Sequence, residues 1–315
     1  MSSPFPLLRL PRLVLFDVFK SLDIDEKIQL SICSKKISTE INNARFYSQK
    51  VIVDLDILRK KIRVHSENIK DAFDIFNCYD NGESNKPYIK QYRIEGHTVP
   101  VISYTTGMDT FWKNYREGFL SVTQHLLKMF QCKISADISI YHSDSLQPII
   151  SELFDLQVEF KTVTINLKGS EDENLLWNQI SNNLELVEDL IISSSFYHSF
   201  RPVFTSWSQN ICIWNSSWFT LEYLLTCTCT TITLGWSRLG NKDLDVVLKN
   251  WKAGGFLNLD RLTIDSMWFT NDEVLILDMN FRELNGMVIQ TDDGSKKATV
   301  NTGYGRIEMS VTLFQ

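Results

Sequence analysis

The first fifty residues constrain the fold of this chain most, because a helical pattern that starts at a proline is followed there by two further short helical patterns. Pro11 suits the first position of a helix, where its missing N–H group has no hydrogen bond to lose. Apolar residues then recur at helical spacing at Leu10, Leu13, Val14, Val18, Phe19 and Leu22. The pattern predicts an amphipathic helix that ends near Leu22.

A second helix is predicted directly after the first. Asp23 and Glu26 have the spacing of a capping box, in which the glutamate accepts a hydrogen bond from the backbone of the capping residue. Ser34 is placed to cap a third helix, with Ile37 and Ile41 facing inward. Three helices in about forty residues cannot bury all of this apolar surface among themselves. We therefore expect a neighbouring domain or a partner chain to cover the remainder.

These elements resemble the F-box. The motif consists of Leu10-Pro11-x-x-Val14-x-x-x-Val18-Phe19-x-x-Leu22 and then Leu30-Ser31-Ile32-Cys33-Ser34-Lys35-Lys36. F-box segments bind the Skp-type adaptor subunit of a cullin–RING ubiquitin ligase. The resemblance implies adaptor contacts at Leu10, Pro11, Val14, Val18, Phe19, Leu22, Leu30, Cys33 and Lys35. The Trp that many F-boxes carry after the Ser-Lys pair is absent, and the alternative is a plain helical cap on the following domain.

A repeat is present in the second half of the chain. The pattern apolar-x-x-apolar-x-apolar recurs at Phe160–Ile165, Val187–Ile192, Cys229–Leu234 and Leu259–Ile264, with partial copies at Ile138–Ile140 and Ile211–Ile213. The central apolar residues are 25, 27, 21, 21 and 30 residues apart, close to the 20–29 residues of leucine-rich repeats. Helical patterns lie between the copies at 146–156, 175–184, 218–225 and 242–251. We expect an irregular leucine-rich-repeat-like α/β solenoid, with an ordinary compact α/β domain as the alternative.

The same region resembles the F-box-associated domain of the F-box family that is expanded in nematodes. The residues that carry this resemblance are Ile232-Thr233-Leu234, Leu239 to Leu244, Leu248-Lys249-x-Trp251 and Leu262-x-Ile264. In that family the domain is taken to bind the substrate. Trp214 and Trp236 lie just past two strand patterns and are our candidate target-binding residues. Of the clustered Trp207, Trp214, Trp218, Trp236 and Trp268, most are expected to lie in the core.

The remaining segments complete a multidomain α and α/β architecture. We expect an F-box at 5–50, a connecting α/β segment at 51–131, the repeat domain at 132–285 and a β-meander cap at 286–315 that covers the edge of the repeat sheet. In the connecting segment, alternation of apolar and polar residues predicts a strand at Val51–Leu55. We also expect a charged helical turn at Leu58–Arg63, a loop at the polar stretch Asn77–Lys86 and a helix at Phe119–Phe130, where apolar residues recur at helical spacing.

Composition narrows the class of function. The net charge is −6, and residues 131–315 hold 13 basic and 23 acidic side chains, which disfavours nucleic-acid binding. No apolar stretch has the length of a membrane span, and six scattered cysteines favour a reducing compartment, so we expect a cytoplasmic or nuclear protein. Five dispersed histidines and the lack of any Cys-x-x-Cys pair predict no metal, no cofactor and no catalytic site.

These patterns together predict a non-catalytic adapter. The N-terminal helices would bind the Skp-type adaptor, and through it cullin, while the repeat domain would hold an unknown protein target. The alternative is a protein-interaction scaffold that acts independently of a ubiquitin ligase.

Overall fold

The computed structural model describes residues 7–44, 51–57, 59–66, 72–80, 89–139, 143–156, 158–167, 177–178, 180–194, 202–271 and 274–313. The chain divides into two compact units, Met1–Asp137 and Ile138–Gln315. We call them unit 1 and unit 2. The finer four-domain division expected from the sequence stays a prediction.

Three helices open unit 1: α1 (Arg12–Ser21), α2 (Ile24–Cys33) and α3 (Lys35–Asn43). Pro11 directly precedes α1, and its carbonyl accepts the Leu15 N–H at 2.9 Å. The predicted capping interaction is present, because a Glu26 carboxylate oxygen accepts the Asp23 N–H at 3.0 Å. Ser34 occupies the N-cap position of α3 without a side-chain capping bond. The three predicted helices are thus confirmed.

A seven-stranded sheet and one long helix complete unit 1. The strands are β1 (Val51–Asp56), β2 (Lys61–Ser66), β3 (Ala72–Tyr79), β4 (Lys90–Ile94), β5 (His97–Ser103), β6 (Gly107–Trp112) and β7 (Ile134–Ser139), and the helix is α4 (Tyr115–Phe130). Their order is β7-β1-β2-β3-β6-β5-β4, with β1–β7 and β3–β6 parallel and the other pairs antiparallel. Helix α2 contacts β2, β3 and β4, and α4 contacts β3, β4, β6 and α3. The sheet and α4 therefore cover a part of the apolar surface that the first helices cannot bury alone.

The prediction of a helical turn at Leu58–Arg63 was wrong. Residues from Lys61 onward form β2, in which Ile62 is fully buried and Arg63 points outward. The basic residues that suggested a helix have a partner across the sheet instead, because Lys61 Nζ and Arg63 Nε lie 2.7 and 2.8 Å from carboxylate oxygens of Asp74 on β3. This cross-strand pairing cannot be read from local periodicity.

Three other predictions concern the connecting segment: a strand, a helix and a loop. The strand at Val51–Leu55 and the helix at Phe119–Phe130 are confirmed as β1 and α4, and Phe119, Val122 and Leu126 are buried. Residues 77–79 of the predicted loop belong to β3, whereas residues 81–86 lie outside the described part of the chain.

Unit 2 contains a mixed eight-stranded sheet. Its strands are β8 (Phe160–Leu167), β9 (Val187–Ser194), β10 (Asn210–Ile213), β11 (Thr231–Ser237), β12 (Arg261–Ser266), β13 (Met287–Gln290), β14 (Lys296–Gly303) and β15 (Arg306–Leu313). The order is β13-β14-β15-β12-β11-β10-β9-β8, in which β8 to β12 are parallel. The helices are α5 (Ser143–Asp155), α6 (Leu221–Thr226) and α7 (Asn241–Lys252), with 3₁₀ segments at Ser181–Leu186 and Phe281–Leu284.

The repeat found in the sequence corresponds to the register of these parallel strands. Val163, Leu190, Ile211, Ile232 and Leu262 are aligned as direct neighbours from β8 to β12, and each is at most 1 % exposed. The apolar stripe of α7 is buried as predicted. Of the helix predicted at 175–184, residues 177, 178 and 180 are helical and the 3₁₀ segment follows, while 175, 176 and 179 lie outside the described residues. The leucine-rich-repeat solenoid itself stays a prediction.

The C-terminal meander is confirmed. Strand β15 pairs antiparallel with β12, so β13, β14 and β15 extend the sheet beyond its last parallel strand. The turn between β13 and β14 contains Gly294, whose φ of +75° is one that glycine adopts without strain.

Candidate partner-binding surfaces

Helix α1 presents apolar side chains on two faces. Leu15 and Phe19 are 4 and 1 % exposed and form the inner face, whereas Leu13 and Val14 are 79 and 46 % exposed. Leu10, Val18 and Leu22 are partly buried, and Pro11 is exposed. We call the set Leu10, Pro11, Leu13, Val14, Val18 and Leu22 the α1 surface. Exposure of a leucine and a valine side by side on one helix is typical of a surface that a partner covers.

Two residues change role in the structure. Phe19, which the F-box resemblance implied as an adaptor contact, is buried within unit 1 and belongs to its core. Leu13, which belongs to the apolar helical pattern but was not among the implied adaptor contacts, is exposed. The signal for Leu13 was available, because Leu10, Leu13 and Val14 have i, i+3, i+4 spacing on a different face from Leu15 and Phe19.

The other sequence-predicted adaptor residues lie at the junction of α2 and α3. Leu30 is partly buried, while Cys33 and Lys35 are exposed and line a cleft of about 1100 Å³ together with residues of β4, the β4–β5 turn and α4. Burial raises the pKa of the Cys33 thiol, although nearby Lys90 acts in the opposite direction. The structure thus brings Cys33 and Lys35 together in this cleft. Both residues come after the α1 surface in the sequence.

A buried polar array ties α2 to α4 beside the same cleft. Ser31 Oγ lies 2.8 Å from His125 Nε2, and His125 Nδ1 lies 3.7 Å from Glu95 Oε1, which also pairs with Lys128. Burial lowers the pKa of His125, and the opposing effect of Glu95 is smaller. The imidazole is therefore held neutral at neutral pH.

The residue types of this array match those of a catalytic triad, yet its geometry is structural. Ser31 lies inside helix α2 and is 2 % exposed, and its hydroxyl donates to the Ile28 carbonyl at 2.7 Å. Nucleophilic catalysis needs an accessible hydroxyl oriented toward its base. We interpret the array as a connection between the N-terminal helices and α4.

The described residues offer little for metal or thiol chemistry. No group of three or more His, Cys, Asp or Glu among them could hold a metal ion. Burial raises the pKa of the Cys132 thiol to about 12, and the neighbouring Cys227 together with burial raises the pKa of Cys229. Both thiols are thus protonated at neutral pH, whereas metal ligation and nucleophilic attack require the thiolate.

Exposed aromatic residues in unit 2 follow the parallel strands. Trp214 follows β10 and is 61 % exposed, Trp236 lies near the end of β11 and is 66 % exposed, and Trp268 follows β12 and is 59 % exposed. Because parallel strands end at the same edge of a sheet, all three lie along one edge. The two predicted residues are therefore brought together, and Trp268 was missed although it follows a strand pattern in the same way.

Two further tryptophans of the region, Trp207 and Trp218, have a packing role. Trp207 stacks on Phe204 with ring centroids 4.3 Å apart, and Trp218 contacts Phe219 edge-on at 5.7 Å. For Trp207, Trp214, Trp218, Trp236 and Trp268, the expectation that most lie in the core was thus wrong. Three are exposed, because they lie at or just past the carboxyl ends of their strands.

Comparisons with known proteins identify two domains in the chain. Residues 7–49 match the F-box domain, and residues 199–264, which span β10 to most of β12, match the F-box associated domain FBA_2. No solved structure matches the chain. Among the described residues, no helix has the length and apolar character needed to cross a membrane.

The chain is also similar to three proteins of Caenorhabditis elegans. One uncharacterized protein is 24 % identical over 299 residues, which cover 90 % of this chain and 80 % of the relative. A second is 19 % identical over 263 residues, covering 80 and 58 %. E3 ubiquitin-protein ligase hecw-1 is 24 % identical over 323 residues, covering 90 % of this chain and 25 % of that protein. The chain therefore combines an F-box domain with an F-box-associated domain, as F-box proteins of Caenorhabditis elegans do.

Proposed function

We propose that this protein is a non-catalytic, substrate-recruiting adapter of a Skp–cullin–F-box ubiquitin ligase. Unit 1 would bind the Skp-type adaptor subunit, and unit 2 would hold a protein target, so that target lysines are concentrated near the conjugating enzyme. The domain pair supports a role in this pathway. We place the protein in the cytoplasm or nucleus, where that machinery acts.

One observation carries the proposal: the inner face of α1 is buried while its outer face is apolar and exposed. Leu15 and Phe19 hold the helix on unit 1, and Leu13 and Val14 face outward. Full burial of a leucine or valine side chain contributes about 1.5–3 kcal/mol, so these two residues alone could supply a large part of a micromolar affinity. We propose the α1 surface as the adaptor contact, with Leu30, Cys33 and Lys35 as further contacts.

The test compares matched exposed positions. In Leu13→Gln/Val14→Gln the exposed apolar surface of α1 becomes polar while helix propensity is kept. We expect at least a tenfold loss of affinity for a purified Skp-type adaptor, measured by isothermal titration calorimetry. Val246→Gln is the control, because Val246 is a 42 % exposed valine on helix α7 of unit 2.

Adaptor binding that is unchanged in the double variant would contradict the proposed contact. Failure of the unmodified full chain to bind any Skp-type adaptor would favour the alternative, a protein-interaction scaffold that acts independently of a ubiquitin ligase. That alternative is motivated by Ile37 and Ile41, which stand where many F-boxes have Trp; Ile41 is 5 % exposed and belongs to the core.

A further inference from the structure

We propose that the carboxyl edge of the parallel strands in unit 2 binds an acidic peptide segment that carries large apolar side chains. The surface consists of Trp214, Trp236, Met267, Trp268 and Tyr304, and we call it the aromatic rim. The proposal rests on the proposed function, because it specifies the class of target that unit 2 would hold.

Hydrogen bonds between loops join the parts of the rim. After β10, the Ser216 N–H donates to the Gly235 carbonyl on β11 at 2.8 Å. After β12, the Ser266 hydroxyl donates to the Leu239 carbonyl at 2.7 Å, and the Ser266 N–H donates to Gly305 of the β14–β15 turn at 2.7 Å. The three strand ends and the turn are thus adjacent. At about 4.8 Å between neighbouring strands they span roughly 15 Å, the length of four or five residues of extended peptide.

Two rim residues have backbone conformations that are unfavourable for aromatic side chains. Trp236 has a φ of +53° and lies within a register shift between β11 and β12. Tyr304 has a φ of +44° and precedes Gly305 at +74° in the two-residue turn between β14 and β15, a position that Asn, Asp or Gly occupies at lower energy. A bulge or a strained turn residue redirects a side chain, and such features concentrate at functional sites.

The rim is also strongly exposed. Met267 is 72 % exposed and Tyr304 fully so, in addition to the three tryptophans. Side chains of this size expose together on the order of 600 Å² of apolar surface, at the upper end of the largest patches on monomeric proteins. Tryptophan, tyrosine and methionine are enriched at protein interfaces, so this composition favours a peptide over a small polar ligand.

The charged residues near the rim favour an acidic partner. Unit 2 holds 12 basic and 22 acidic residues, and the rim segments 214–220, 236–242, 267–271 and 302–306 contain Arg238, Lys242 and Arg306. The acidic residues Asp265 and Asp243 flank these segments, and a carboxylate oxygen of Asp243 accepts the Gly240 N–H at 2.8 Å. Arg306 lies 3.7 Å from Asp265, whereas Arg238 and Lys242 form no ion pair within the described part of the chain. Arg238 and Lys242 are exposed, so they attract an acidic segment at the rim and repel a basic one there.

The proposed contact has a defined chemistry. Aromatic or aliphatic side chains of the peptide would pack on the tryptophans, and flanking carboxylates would lie near Arg238 and Lys242. Single-stranded nucleic acid also binds to aromatic and basic surfaces, but a polyanion carries charge along its whole length and would meet the acidic remainder of unit 2, whereas a peptide needs carboxylates only beside Arg238 and Lys242.

The experiment selects a random dodecapeptide library displayed on phage against the full chain. We expect the enriched peptides to combine acidic with large apolar residues and to bind the full chain at least tenfold more tightly than versions in which Lys replaces each acidic residue. Met267→Ala and Trp236→Ala should each weaken this binding at least fivefold. Leu257→Ala is the matched control, because Leu257 is 78 % exposed and precedes β12 at the opposite edge.

Enrichment of basic peptides, lack of any enrichment, or enrichment that is unaffected by both rim variants would overturn the proposal. Tighter binding of a twelve-nucleotide oligothymidylate than of the selected peptides would do so as well. Adaptor binding is measured on the same preparation. Adaptor binding without peptide enrichment would refute only the rim, and enrichment without adaptor binding would refute only the ligase role.

Discussion

His125 illustrates at the residue scale how a buried titratable group links two parts of unit 1. Its imidazole lies between Ser31 of α2 and the Glu95–Lys128 pair. Burial is the main cause of its lowered pKa, so protonation of the folded protein is disfavoured relative to the unfolded chain. The position of this histidine thus makes the attachment of α2 sensitive to acid.

We predict that the unfolding free energy falls as the pH is lowered. Because the folded pKa of His125 lies below its ordinary value of 6.5, the unfolded chain binds more protons between the two values. This contribution is fully present above about pH 6.5 and is lost as the pH falls toward the folded pKa. Urea unfolding at pH 7.0, 6.0 and 5.5 should show a smaller decrease in His125→Gln than in the unmodified protein. Equal decreases in both would contradict the assignment.

Tyr304 allows a second prediction at this scale. Its side chain is fully exposed and has no packing to lose, while its φ of +44° is one that Asn tolerates better. Tyr304→Asn should therefore raise the unfolding free energy by about 1 kcal/mol, as measured by chemical denaturation, and should weaken peptide binding at the rim. Tyr304→Phe keeps the strained backbone and should leave stability unchanged; a loss of stability in Tyr304→Asn would refute the strain argument.

The two faces of helix α1 have different roles, one in the stability of unit 1 and the other in the proposed binding of a partner. Its inner residues pack on unit 1, while its outer residues are available to a partner. A helix that is apolar on both sides is expected to be covered on both sides in its functional assembly. The same helix can thus belong to the fold and to an interface.

The two faces of α1 should respond differently to mutation. We predict that Phe19→Ala lowers the unfolding free energy by about 3–5 kcal/mol, the usual effect of truncating a buried aromatic residue. Leu13→Gln should change it by no more than about 0.5 kcal/mol, as for surface substitutions. Thermal and urea denaturation measure both values. A large destabilisation by Leu13→Gln would place Leu13 in the core and would remove it from the proposed surface.

At the scale of the whole molecule, the F-box helices are part of unit 1 and not a detachable module. Helix α2 contacts three strands, and Ile28 at its centre is fully buried. Removing these helices would expose apolar side chains of the sheet, such as Ile62 and Phe73, which are at most 1 % exposed. A deletion of residues 1–50 would therefore affect stability as well as partner binding.

We predict that this deletion loosens unit 1 in preference to unit 2. Hydrogen–deuterium exchange should become at least tenfold faster for amides of β2 and β3, since local stability depends on buried contacts. Exchange in α7 of unit 2 should change less than twofold, and the full chain provides the reference. Unchanged exchange in β2 and β3 would mean that the helices do not stabilise the sheet, and adaptor binding could then be tested by deletion.

The sequence by itself determined the local features of this protein. The helix starts at Pro11 and Asp23, the apolar stripe of α7 and the positions of the parallel strands follow from periodicity and capping, which depend on neighbouring residues in the chain. The domain pair also followed from local motifs. For this reason Trp214 and Trp236 could be selected from their positions after strand patterns.

Only the tertiary structure decided which apolar residues remain exposed. Helical spacing places Leu13 and Phe19 on different faces of α1, but the fold decides that unit 1 covers the face of Phe19 and leaves that of Leu13 open. Likewise, Lys61 and Arg63 form a strand because Asp74 lies across from them. Burial and cross-strand pairing are set by contacts between residues that are distant in sequence, which local periodicity does not encode.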